Sequence, residues 1–294
     1  MTTSTNPAQR RSPLREIIAY LSLTYGLTLA ISIGLPDANI NKLFTLLVPM
    51  LSVTILTFTY FRKGSRRALW SGLGLGRAGL GSWLPALLLP LLLCGAAYGA
   101  ALLLGAGRLA HLHIDADQVG GWTLGLLVGL VVWSVVLLGE EVGWRGYLLP
   151  RVQELTDRRR AALITGFAHG CFHLPLILIA STYDAEGVRW VVAPAAVATV
   201  TAGGVFFAWL RDRSGSVWPV AIGHNAVNTV FDLGATVVVA SSPASLAYVA
   251  GETGFATMGA CVALAIVLLA RAKVWQRPEA TAPAPARPEA LVVG

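Results

Sequence analysis

Eight apolar stretches, each close to the length that crosses a bilayer, dominate the chain and leave it few ways to fold. They lie at about 17–35, 43–61, 82–105, 122–138, 161–180, 190–210, 217–240 and 254–270. A helix rises about 1.5 Å per residue, so about 20 apolar residues span a 30 Å hydrocarbon core. Lipid offers the backbone no hydrogen bonds, and unbroken apolar runs without alternation satisfy it only as helices. The expected fold is therefore all-α: a polytopic membrane helix bundle of about eight transmembrane helices in the cell membrane. Composition agrees, with 55% hydrophobic and 13% charged residues and a mean hydropathy of +0.66.

Charge placement orients the bundle, because Lys and Arg accumulate on cytoplasmic segments. Taking alternate connections as one side, nineteen of the 22 basic residues fall together, Arg145 counted among them, and only Lys42, Arg108 and Arg189 fall opposite. Both termini are thus expected in the cytoplasm. The net charge of +7 is explained by orientation, so no nucleic-acid partner is needed. Residues 1–14 read as a cytoplasmic segment, 15–272 as the bundle, and 273–294, rich in Pro and Ala, as a disordered cytoplasmic tail. The first apolar run is longer than a secretory signal's and is expected to remain as a span. Cys94, Cys171 and Cys261 lie inside apolar runs, where disulfides are not expected.

Against this background the costly residues stand out. Residues 139–150 read GEEVGWRGYLLP, and an ionisable group at the centre of a membrane helix costs about 2.5–3.5 kcal/mol. Glu141 and Arg145 share one helical face in the favourable acid-before-base order, while Glu140 points about 100° away. The pair neutralises itself and Glu140 is left for chemistry; the blander reading is two glutamates capping a helix end. The next run holds HGCFHLP. Its His169 and His173, four apart, suit one metal ion, though a lone histidine in a bundle is more often a hydrogen-bonded structural group. WPVAIGHNAVNTVFD then puts His224, Asn228 and Asp232 on one stripe, Asp232 as an interhelical hydrogen-bonding group. Counted along their helices, the three groups reach one layer and predict a shared, water-accessible site opening to the cytoplasm. Three weaker signals are set aside. Cys171 diverges from His173 and is buried, a poor nucleophile; HLHIDAD at 111–117 reads as a solvated loop rather than a chelator; and GLGRAG lacks the strand and βαβ unit a phosphate loop requires.

EExxxR, a histidine in the following span and HxxxN two spans later together resemble the CPBP family of intramembrane proteases, which includes CAAX prenyl endopeptidases and bacteriocin-immunity-type proteins. The resemblance covers about 120–240. One departure is His169, which stands where the family's FxxxH motif has its aromatic residue, either as an added metal ligand or as a group tuning a neighbouring base. The resemblance implies a glutamate-dependent intramembrane (metallo)endopeptidase. It would hydrolyse a peptide bond near the cytoplasmic side, in a membrane-associated peptide or protein whose lipid modification is left open. It implies Glu140 as base with His173, and His224 and Asn228 at the oxyanion, with Glu141, Arg145 and His169 in support. Glu140, His173 and His224 are acceptable ligands for zinc or another divalent metal, and a metal-free mechanism is equally compatible because no HExxH occurs. Two other classes stay open: a non-catalytic scaffold or immunity protein of the same fold, and a transporter.

Overall fold

The computed structural model describes residues 12–35, 38–111, 115–180, 187–242 and 244–276. Most of the expected N-terminal segment and tail, and residues 112–114 of the HLHIDAD loop, lie outside the described residues. Each of the eight apolar runs becomes a helix: α1 (Pro13–Gly34), α2 (Ala38–Thr59), α4 (Trp83–Leu103), α5 (Ala116–Glu141), α7 (Arg158–Phe172), α8 (Arg189–Ser214), α9 (Trp218–Val237) and α11 (Phe255–Arg271). Short helices α3 (Lys63–Gly72), α6 (Leu149–Gln153) and α10 (Ser245–Val249) link them, and β1 (Gly107–Leu109) pairs antiparallel with β2 (Val238–Ala240).

Among the described residues, six helices are long and apolar enough to cross a membrane: Pro13–Gly34, Ile40–Thr59, Leu80–Leu103, Val119–Gln153, Arg158–Ala180 and Arg189–Ser214. The remaining two of the eight differ for physical reasons. Helix α9 spends its apolar length on His224, Asn225, Asn228 and Asp232, and α11 has 17 residues. Outward-facing side chains along α5, among them Leu124, Leu127, Val131 and Val135, are exposed, as lipid contact requires. The chain is an all-α polytopic bundle and a multi-pass membrane protein.

Close helix approach brings the polar groups inward. Gly139 faces α2, where an added Cβ would stand 2.8 Å from the Leu46 carbonyl oxygen, and one turn on Gly143 sits against Pro49 and the Tyr20 hydroxyl. A Cβ at Gly166 would lie 2.6 Å from the Thr201 carbonyl oxygen, so α7 and α8 meet backbone to backbone.

Local signals set the helix ends. Asp157 accepts from the Arg159 and Arg160 backbone N–H groups, each at 3.0 Å, and starts α7. Gly215, at φ 67°, ends α8. The GLGRAG loop then seats the start of α9. Val217 N–H donates to the Gly74 carbonyl at 3.2 Å and Trp218 Nε1–H to the Leu75 carbonyl at 3.1 Å, while the Ser216 hydroxyl donates to the Arg77 carbonyl. This glycine-rich loop therefore sets the position of His224, two turns further along.

Candidate active site

Glu140 and Glu141 occupy the last turn of α5, and the helix continues from Val142 to Leu148 as a wide π turn whose residues are all buried. Such turns gather at functional sites because they shift side chains off the α register. Arg145, within that turn, is fully buried. It therefore contributes nothing to a cytoplasmic loop, contrary to its place in the charge count. Its Nη1 donates to Glu141 Oε1 and Oε2 at 3.2 and 3.1 Å, the expected pair. The same nitrogen lies 2.9 Å from His169 Nδ1, and His169 Nε2 lies 3.0 Å from Glu140 Oε2. His173, just past the end of α7, places its Nε2 3.3 Å from His169 Nε2. His224 puts Nδ1 2.8 Å from Glu141 Oε1.

One guanidinium thus anchors two arms, Arg145 to Glu141 to His224 and Arg145 to His169 to Glu140. Buried ions persist only where paired and hydrogen-bonded. Two carboxylates against one guanidinium leave a charge that a second proton on His224, beside Glu141, would neutralise. Rings complete the packing. Trp144 stacks on His169, centroids 4.9 Å apart at 25°. Phe207 stacks on His224 at 5.5 Å and 27°, with the Arg145 guanidinium 5.0 Å from its ring centre.

Glu140, His169, His173, His224 and Asn228 all line one largely apolar cavity of about 1070 Å³, open part included. The bundle therefore gathers the candidate site residues from α5, α7 and α9. Asp232 is exposed and outside the cavity lining. The interhelical role expected of it is carried by Asn225, whose Nδ2 donates to the Gly129 and Leu130 carbonyls and to Ser134 Oγ at 3.1–3.2 Å. Asn225, Trp144 and Phe207 went unread in the sequence. The asparagine's position beside His224 was its one signal, while aromatic residues in apolar runs carry none. The lining also reaches Lys42 in the first turns of α2 and Glu252 just before α11. Both lie at helix ends remote from Arg158–Arg160, so the cavity extends away from the basic side to which the sequence had opened it.

Glu140, His169 and His173 each offer a ligand atom within 4.8 Å of the others, and the two separations from His169 Nε2, 3.0 and 3.3 Å, are close to the roughly 3.4 Å edges of a tetrahedral zinc site. The donor chemistry does not fit. An arginine N–H can only donate, so His169 Nδ1 accepts and the ring proton sits on Nε2, the atom that would have to ligate. His224, expected as third ligand, stands outside this trio.

A multi-pass helical membrane protein with a buried carboxylate–histidine centre is the class these features define. Residues 121–230 match the sequence model of the Rce1-like family, described as type II CAAX prenyl endopeptidase Rce1-like, so this segment is similar to the CPBP/CAAX proteases. No curated protein matches the chain. The family is one of membrane-embedded proteases, and the matched residues contain every histidine and carboxylate of the network above.

Proposed function

We propose that the chain is an intramembrane endopeptidase in which Glu140 activates a water for attack on a peptide carbonyl. The observation that carries this reading is the convergence of Glu140, His173, His224 and Asn228 on one apolar cavity, from α5, the end of α7 and α9. A carboxylate in water is a weak base. Enclosed beside hydrogen-bonding histidines in an apolar cavity, it is placed to take a proton from a bound water and return it to the leaving amine. His173 lies on the same side of the site as Glu140 and orients that water. His224, whose Nδ1–H donates to Glu141 behind it and which as the imidazolium carries a second proton on Nε2, and the Asn228 amide are positioned as donors for the oxyanion that forms as the carbonyl is attacked. The apolar lining suits a membrane-associated peptide or protein, with or without a lipid group.

The test is cleavage of a membrane-tethered peptide by the purified protein in liposomes. Glu140→Gln keeps the shape and removes the base, and is expected to lower kcat by about 10²- to 10⁴-fold. Undiminished cleavage by that variant rejects the assignment.

A further inference from the structure

We infer that His169 is a positioning residue: a neutral imidazole, fixed in its Nε2–H tautomer by Arg145, that pins one oxygen of Glu140 so that the other meets the water. The inference rests on Glu140 being the base and goes beyond that reading, which needs nothing from His169.

Three observations carry it. Arg145 Nη1 lies 2.9 Å from His169 Nδ1, and because guanidinium nitrogens only donate, that nitrogen holds a lone pair. The proton is thereby assigned to Nε2, which faces Glu140 Oε2 at 3.0 Å and donates to it. The ring has no freedom to turn away, since it is 2% exposed and stacked on Trp144. A carboxylate on a flexible side chain can rotate; one held at Oε2 by a fixed donor presents Oε1 in a single direction. No hydrogen bond among the described residues uses Oε1, and Glu140 lines the cavity. The donor also stands where Glu140 and His173 converge, the place an ion would take.

Arg145 emerges as the common reference for both halves of the chemistry, orienting the base through His169 and the oxyanion donor His224 through Glu141. An aromatic ring at position 169 would fill the space and stack on Trp144 but hold nothing. This separates packing from positioning.

The experiment compares His169→Phe and His169→Gln with wild type and Glu140→Gln, all in liposomes with the same peptide. Glutamine places an amide N–H where Nε2–H stood. His169→Phe is expected to lose about tenfold to a hundredfold in kcat with KM changed less than about twofold, the size of effect a misplaced catalytic group produces. His169→Gln is expected to recover most of that loss. Equal activity of wild type and His169→Phe, or equal loss in both variants with unfolding temperatures unchanged, overturns the inference. If Glu140→Gln cleaves like wild type, the catalytic reading itself has failed, a separate result. A measurement free of turnover uses ¹⁵N-histidine-labelled protein, its His169 signals assigned by their loss in His169→Gln. An Nε2–H tautomer supports the inference; an Nδ1–H tautomer, or stoichiometric zinc in wild type that His169→Phe loses, overturns it.

Discussion

Arg145 illustrates how much one buried charge can organise. Its single engaged nitrogen reaches Glu141 and His169, and its guanidinium lies over Phe207. Replacing it by leucine leaves Glu141 buried without its cation, and breaking a buried pair in this way costs about 3–5 kcal/mol. The expected outcome is a lower unfolding temperature in detergent together with loss of cleavage. Arg145→Lys is expected to recover part of the lost unfolding temperature but little cleavage, because an ammonium restores the charge beside Glu141 without the planar guanidinium that packs on the Phe207 ring and reaches His169. Asn228 predicts a different pattern. Truncation to alanine removes a cavity-facing amide and leaves the network intact, so folding is kept while kcat falls about 10²- to 10³-fold, the usual loss of one oxyanion donor. A matched scan of kcat and thermal unfolding separates the two residues.

Glycine contacts set how closely the helices approach. Gly143 lets α5 touch Pro49 of α2 and the Tyr20 hydroxyl, just where the π turn carries Arg145 inward. Gly143→Ala forces these elements apart and is expected to cost about 1–3 kcal/mol, as overpacking does, read as a lowered unfolding temperature. The tie between α5 and α9 runs through Asn225. Asn225→Ala should cost about 0.6 to 1.7 kcal/mol, the range for interhelical hydrogen bonds in membranes. It should also lower kcat more than it raises KM, because His224 sits on the helix that loosens. Much of this level was legible beforehand. Runs of apolar residues place the helices, and i, i+4 spacing puts Glu141 with Arg145 and His169 with His173. The π turn was not legible, since a change from i+4 to i+5 bonding leaves no mark on composition.

For the whole molecule the cavity predicts a direction of access. Cavity residues Lys42 and Glu252 stand at helix ends remote from Arg158–Arg160. With the three native cysteines replaced, Lys42→Cys and Arg159→Cys should react with a membrane-impermeant thiol reagent from opposite faces of oriented vesicles. Substrate peptide should slow the reaction at 42 only. Labelling of both from one face would contradict the orientation read from charge.

The sequence by itself determined that the chain is a multi-helix membrane protein, and it singled out Glu140, His173, His224 and Asn228 as the polar residues the bundle brings to one cavity. Lipid tolerates only helices with apolar surfaces, so every ionisable residue inside a span announces itself. What the residues do to one another was decided by tertiary structure. Hydrogen-bond partners on α5, α7 and α9 are separated by up to 96 positions, and no local pattern records which nitrogen of His169 faces Arg145. That choice follows from how closely glycine-lined helices approach. Of the two roles open to His169, added metal ligand or group tuning a neighbouring base, it favours the second, as the inferred donor that holds Glu140 in place.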